Sequence, residues 1–426
     1  MQLRGLVADT RPLSTPAFRR LWSANIVTVI GAQLTVVAVP AQIYTITGSS
    51  AYVGLSGIFG LVPLIVFGLW GGALADVMDR RTILQGTTVG LILTSAAFWA
   101  QAALGADNVW LLLCLFAVQQ AFFAVNQPTR SALLPRLLPP AQLPAANALN
   151  MTVSGAGAIA GPLVGGALIP VLGVAALYLV DTITLFATLW AVIRLPRLPI
   201  AGAPAGAPGL RAVLDGFVYL RGHPVLLMSF VVDIIAMVFG MPRALFPQIA
   251  HESFGGPVGG GLAFALLFAA IPAGAVLGGV LSGWVSRVRR QGRAVVAAIT
   301  IWGLAMAGFG GAVGLAPRAQ NAMLVVSVLL LVIGGAADMS SSAFRNSMLM
   351  SAASDEVRGR LQGVFIVVVV GGPRIADVLH GAAAAVIGTA LTAALGGILV
   401  VVLLGVAVAL VPAFLHYTPE EATEQG

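Results

Sequence analysis

Long apolar runs, separated by short polar or glycine- and proline-bearing breaks, recur from residue 21 to residue 415. A helix needs about 20 mostly apolar residues to cross the hydrocarbon core of a bilayer. Twelve runs reach that length: 21–45, 51–75, 82–105, 109–134, 143–171, 173–195, 224–250, 258–285, 294–315, 320–346, 360–387 and 389–415. In lipid the backbone must satisfy its own hydrogen bonds, which leaves helices and closed barrels. Barrel strands alternate apolar and polar positions over about 10 residues, whereas these runs are longer and continuous. The pattern predicts an all-α membrane protein with 12 transmembrane helices, some joined by very short turns, as around Leu172 and Gly388.

The longest polar gap, Pro196 to Gly209, is rich in proline, alanine and glycine and reads as a linker. Leu210, Val213, Leu214, Phe217 and Val218 follow at helical spacing. They read as a short amphipathic helix on the cytoplasmic face, or equally as the solvated start of the next span. The gap divides the chain into an N-terminal six-helix half at 1–195, a cytoplasmic linker at 196–222 and a C-terminal six-helix half at 223–426. Weak internal repetition agrees with that division. Gly71 to Arg81 (GGALADVMDRR) is echoed by Gly278 to Arg290 (GGVLSGWVSRVRR), Gly161 to Gly166 (GPLVGG) by Gly372 to Asp377 (GPRIAD), and Arg130 by Arg345. The separations of 207, 211 and 215 positions are nearly constant, as duplication of a six-helix unit leaves them.

Composition narrows the class. Of 426 residues, 59% are hydrophobic and 9% charged, with a mean hydropathy of +0.99. Soluble domains carry about 25% charged residues, so a water-soluble fold is excluded, and intrinsic disorder with it. A single cysteine, Cys114, excludes a disulfide scaffold and a multi-cysteine metal site. The chain has no GxxxxGK(S/T) phosphate loop, no HExxH or GxSxG motif and no His/Cys cluster. It is therefore not read as an ATP-driven pump or an enzyme, and neither cofactor nor metal is expected.

The 22 basic residues are all arginine, and the net charge is +7. Charge alone suggests nucleic acid, but position argues against that partner. Eighteen arginines cluster between spans on one side of the membrane, one (Arg318) lies on the other, and three (Arg243, Arg345, Arg374) fall inside spans. This is the positive-inside pattern, so the N-terminus is expected in the cytoplasm, and an even number of spans returns the C-terminus there. The first 20 residues lack the apolar core of a secretory leader, so the first span is expected to be retained.

In the first copy of the repeat, Gly71 and Gly72 permit close helix approach. Asp76 closes the second span, and Asp79, Arg80 and Arg81 form a tight charged turn. Such a cluster at the inner mouth can hold two helix ends together in one state and release them in another; the plainer reading is a topogenic loop with a helix cap. At these residues the chain resembles the major facilitator superfamily, and the likeness extends over its whole length. Gly72, Asp76, Asp79, Arg80 and Arg81 match that superfamily's loop 2–3 signature, with Asp79 where glycine is common; in the degenerate second copy Gly283 stands at the place of Asp76. In the fifth span, Gly157 to Gly166 (GAIAGPLVGG) matches the signature of the antiporter subset. Gly157, Gly161 and Gly165 recur every four residues as a smooth groove for another helix, Pro162 allows a kink, and Gly166 closes the run.

Pro16 to Trp22, Val37 to Leu55 and Arg358 to Phe365 resemble the branch that holds enterobactin-type siderophore exporters and neighbours macrolide and multidrug exporters. The resemblance implies the major facilitator fold of two pseudo-symmetric halves, a monomer in the bacterial cytoplasmic membrane, a small-molecule substrate and protons as the coupling ion. Two departures stand out. The fourth span reads AVQQAFFAVNQP with its arginine, Arg130, at the inner end, and Gln33 stands where some relatives carry an acid in the first span. The usual proton site therefore does not carry over.

Ionisable residues inside spans cost roughly 2.5–3.5 kcal/mol each at the helix centre and mark function by default. Asp181, Asp233, Arg243, Asp338, Arg374, Asp377 and His380 are of this kind. Arg374, Asp377 and His380 stand at i, i+3 and i+6, so Asp377 can face both basic residues. They read either as a proton carrier whose arginine moves away during the cycle, or as a static pair that fixes packing. Asp233 is close to mid-membrane. In the resembled fold its helix borders the cavity, whereas that of Asp181 supports it, so Asp181 reads first as a structural partner while remaining among the proton-coupling candidates. Gln33, Gln119, Gln120 and Asn126, with Asp233, Arg243 and Asp338, are the candidate lining of a cavity for an amphipathic organic molecule. The expected function is secondary active export by proton antiport, with an enterobactin-like siderophore as first substrate and hydrophobic drugs, macrolides included, as the alternative. A non-transporting membrane sensor derived from a transporter is the competing class.

Overall fold

The computed structural model describes residues 9–196, 218–352 and 355–418, without the side chains of 69, 72–73, 75–77, 351–352 and 355–367. Helix makes up 89% of the structure, and no strand occurs among the described residues. The long helices are α1 (Pro16–Thr47), α2 (Ser50–Val77), α3 (Arg80–Ala103), α4 (Val109–Ser131), α5 (Leu143–Ile193), α6 (Pro224–Gly240), α7 (Leu262–Val280), α8 (Gln291–Leu315), α9 (Gln320–Ala352), α10 (Asp355–Ile387) and α11 (Thr389–Leu410). Ten helical segments among the described residues are long and apolar enough to cross a membrane. The interdomain linker and most of the expected amphipathic helix lie outside the described residues; 218–221 are helical.

Local chemistry sets the helix ends. Asp79 caps α3 by accepting from the Arg81 backbone N–H at 3.1 Å, and Asn108 caps α4 by accepting from Trp110 and Leu111 at 3.0 and 3.1 Å. Helix α5 is 51 residues long, which at about 1.5 Å per residue far exceeds a bilayer core. It is two arms meeting at Gly173, whose φ of 73° only glycine adopts freely. Gly388, with φ 80°, makes the same kind of turn before α11. Both lie where the sequence predicts tight connections. Pro162 causes no such break: among the residues of α5, Gly173 alone leaves helical dihedrals.

Two expectations are corrected. The run 224–250 falls within one candidate span, Pro224–Ser253, but its helix is interrupted. Helix α6 stops at Gly240 because Pro242 has no N–H to offer and drives Met241 into an extended conformation, φ −105° and ψ 92°. Short turns at Arg243–Leu245, Phe246–Gln248 and Ile249–Ser253 follow. The tenth run stops at 346, yet α9 continues to Ala352, so Arg345 lies within a helix and not at its end.

The chain forms two compact units, one of residues 1–39 and 62–207 and the other of 40–61 and 208–426. Helix α1 thus passes from the first unit to the second at Pro40, and α2 returns after Leu61. Within the first unit α3 packs against α4 and α5; within the second, α8 packs against α9 and α11, α7 against α9, and α6 against α10 and α11. Outward stripes such as Ile183 and Phe186, Val325 and Leu329, and Val402 and Val406 remain exposed. Apolar surface on that scale suits lipid and not water.

Candidate functional site

The first unit is organised around α1. Gly157, Gly161 and Gly165 of the first arm of α5 face Val29, Gln33 and Val37 of α1, at the same four-residue spacing on both helices. A methyl group on Gly161 would overlap the Gln33 side chain. Gly166 and Pro162 are buried in the same arm. The opposite face of α1 meets the second arm of α5. There the Thr28 and Thr188 hydroxyls are 2.5 Å apart, and Gly31 packs against Asp181 and Thr184. One turn further, Thr35 Oγ1 donates to Asp181 Oδ2 at 2.8 Å, and Ser95 Oγ of α3 donates to the same oxygen at 2.9 Å.

The charged turn between α2 and α3 is docked by its arginines. Arg80 Nη1 donates to the Ala132 carbonyl, just past α4, at 3.0 Å, and Arg81 Nη2 to the Ile193 carbonyl, the last residue of α5, at 2.6 Å. Both arginines satisfy carbonyls that a helix end leaves open. Gly72 and Asp76 belong to α2 by their backbone, but their side chains lie outside those described. Arg130 Nη2 reaches the Leu21 carbonyl at 3.4 Å. Of the neutral polar candidates, Gln33 is half-buried in the α1–α5 groove, and Gln119 and Gln120 are half-buried on α4. Asn126 is buried with its amide donating to Thr87 and Thr88 of α3, at 2.8 and 3.4 Å.

Two groups of charges lie in the second unit. In the first, Asp233 of α6 and Arg345 of α9 form an ion pair at 2.6 Å with both side chains almost fully buried. Arg345 Nε donates to Ser341 Oγ, one turn back, at 3.2 Å. Asp338, half-buried on the same face two turns before Arg345, interacts electrostatically with both members of the pair. Two carboxyls and one guanidinium therefore lie within electrostatic range of one another.

In the second group Arg243 Nη2 donates to Asp377 Oδ2 at 3.1 Å, while Asp377 Oδ1 is buried without a hydrogen-bond partner among the described residues. The break at Pro242 is what frees the Arg243 backbone to deliver that side chain. The sequence spacing points Asp377 at Arg374 and His380; both stand within electrostatic range of it, and the structure adds Arg243 as its ion-pair partner. Arg374 stands within electrostatic range of both Arg243 and Asp377. His380 turns to the backbone, with Nδ1 3.0 Å from the Ala376 carbonyl.

The turn joining α1 to α2 is pinned beside this group. Tyr44 donates to Glu252 Oε1 at 3.0 Å, Gln248 Nε2 to Glu252 Oε2 at 2.9 Å, and Ser50 to Gln248 Oε1 at 2.7 Å. Gly54 and Gly57 of α2 press on the backbone carbonyls of Asp377 and Arg374, leaving no room for a side chain. Sequence reasoning missed Thr35, Ser95, Ser341, Tyr44, Gln248 and Glu252. The one available signal was spacing: Asp338, Ser341 and Arg345 at i, i+3 and i+7 share a helix face.

A family described as transmembrane secretion effector matches residues 7–421. Macrolide efflux protein A of Streptococcus pyogenes is 25% identical over 247 residues, 56% of this chain and 60% of that protein. Enterobactin exporter EntS of Shigella boydii serotype 18 is 30% identical over 245 residues, 56% of this chain and 57% of its own. The chain thus matches under two thirds of the length of these curated relatives. Among solved structures, nucleoside transporter NupG superposes with a TM-score of 0.74 at 13% identity, covering 94% of this chain and 100% of that one. A bacterial homologue of the human lysosomal transporter Spinster, inward-facing and unoccupied, gives 0.68 at 15%, covering 98% and 99%.

Proposed function

The chain belongs to the transmembrane secretion effectors of the major facilitator superfamily, a family of multi-pass membrane transporters, and from that membership we propose that it is a proton-driven exporter of small amphipathic organic anions. Counting the two arms of α5 separately and α10 as a crossing gives 12 spans in two six-helix halves, with a half boundary in the 196–222 linker and both termini cytoplasmic. Export then proceeds by rocking the halves about a central site. The charged turn at Asp79–Arg81 and the glycine groove of α5 are the parts that guide that movement.

The observation that carries this reading is the acid surplus around Arg345. Asp233 is ion-paired with Arg345, and Asp338 stands on the same face of α9 within electrostatic range of both, so this group holds two carboxyls and one guanidinium among the described residues. A group that binds a proton in one state and releases it in another is what antiport requires. Arg243, a third exposed and tethered by Asp377, offers a cation to an anionic cargo. A catecholate siderophore has that chemistry, and EntS is named an enterobactin exporter. Macrolide export is the second reading, supported by the likeness to macrolide efflux protein A over a similar length.

Purified protein in liposomes with an imposed pH gradient separates these. Catecholate uptake into inside-out vesicles that accompanies proton efflux, and is absent with macrolide, supports the first reading. Macrolide movement alone supports the second. Movement of neither class under a gradient refutes both.

A further inference from the structure

Asp181 lies on the second arm of α5, 3% exposed, and serves neither charge group of the second unit. Its Oδ2 accepts from Thr35 of α1 and Ser95 of α3, and Thr182 Oγ1 donates onward to Ser95 Oγ at 3.2 Å. Among the described residues, those that meet it are Gly31 and Thr35 from α1, Ser95 from α3, and Tyr178 and Thr184 from its own arm. Tyr178 is the titratable member of that set, and among the described residues no cationic side chain belongs to it. The nearest arginines along these elements, Arg20, Arg81 and Arg194, are 13 or more residues away, about 20 Å of helix.

The contrast with the other acids is chemical. A guanidinium carries donors only and cannot be deprotonated, so it matches a carboxylate and not a carboxylic acid. Asp233 and Asp377 have guanidinium partners. A hydroxyl both donates and accepts, and it rotates to suit. Thr35 and Ser95 can donate to the carboxylate, or turn to their own helix and accept from the acid. We propose that Asp181 is a proton-binding site whose hydroxyl cage accommodates the charged and the neutral carboxyl alike. Oxygen ligands also suit a sodium ion, but Gly31 lies so close to Asp181 and Thr184 that not even a methyl group fits between them. A proton needs no such space.

The site deepens the proton-coupled reading above and rests on it for its consequence in transport. Thr35 lies five residues before Pro40, where α1 leaves the first compact unit for the second. A charge-assisted hydrogen bond is roughly twice as strong as a neutral one. A proton on Asp181 therefore loosens the hold of α5 and α3 on α1 just ahead of that junction.

Infrared difference spectroscopy of the full-length protein in lipid, stepped in pH without substrate, tests the site directly. The expected spectrum gains a carboxylic C=O band on acidification. That band is missing in Asp181→Asn, present in Asp233→Asn and Asp377→Asn, and moved by about one pH unit in Thr35→Val and Ser95→Ala, the equivalent of one hydrogen bond. A spectrum that Asp181→Asn leaves unchanged overturns the proposal, as does a band that sodium removes and pH does not. Because this measurement needs no cargo, a spectrum of the unsubstituted protein without an Asp181-dependent band condemns the Asp181 site alone, whereas absence of gradient-driven flux with that band present condemns the exporter reading alone.

Discussion

Asp233 needs Arg345 more than either needs the rest of the core. Removing one partner of a buried ion pair strands the other charge, at about 3–5 kcal/mol, while replacing both with apolar groups is often neutral. Arg345→Met is expected to lower the thermal unfolding midpoint sharply, and Asp233→Leu combined with Arg345→Met to recover most of the loss. A single variant that melts like the native protein would show that the pair contributes nothing. Asp338 has a different part, as the surplus acid. Asp338→Asn should keep cargo binding yet cut pH-gradient-driven flux by about tenfold, or ~1.4 kcal/mol of barrier, and paired binding and flux assays read both. The intramembrane acids were legible in the sequence because a charge inside a long apolar run is costly and conspicuous. Their partners were not: Arg345 comes from another helix than Asp233, and Arg243 reaches Asp377 from beyond a helix break that hydropathy does not register.

Helix against helix, glycines decide what can approach. On α5 the residues Gly157, Gly161 and Gly165 seat Val29, Gln33 and Val37 of α1, and van der Waals fit is the main force between helices in lipid. Gly161→Leu should separate the two helices and abolish flux while leaving membrane insertion intact; normal flux would show that the groove is not used. The α3 cap allows a smaller test. Asp79→Ala removes the acceptor for the Arg81 N–H and should cost about 0.5–2 kcal/mol of stability, visible in a denaturant or thermal titration of detergent-solubilised protein. Much of the helical pattern was legible, since ten long apolar helical segments among the described residues and the turns at Gly173 and Gly388 follow from length, polarity and glycine. The break after Gly240 shows the limit. Pro242 was plain to see, but an apolar stretch reads the same whether its backbone is one helix or a helix followed by short turns.

At the scale of the molecule, the proposed 12 spans and cytoplasmic termini predict where reporters work. An enzyme active only outside the cytoplasm should be active when fused in the turn at Gly105–Asn108 and silent when fused after His416. The opposite result would invert the orientation drawn from the arginines.

Residue order alone determined that this protein lives in a bilayer, that its backbone closes into helices and which family it joins. Each of these follows from one-dimensional quantities: the length of apolar runs, the side on which arginines gather and short motifs read in register. Tertiary structure decided which charges meet, which glycines are filled and that α1 and α2 each serve two compact units. Those outcomes depend on distances of a few ångströms between residues more than a hundred positions apart, and hydropathy carries no information about them.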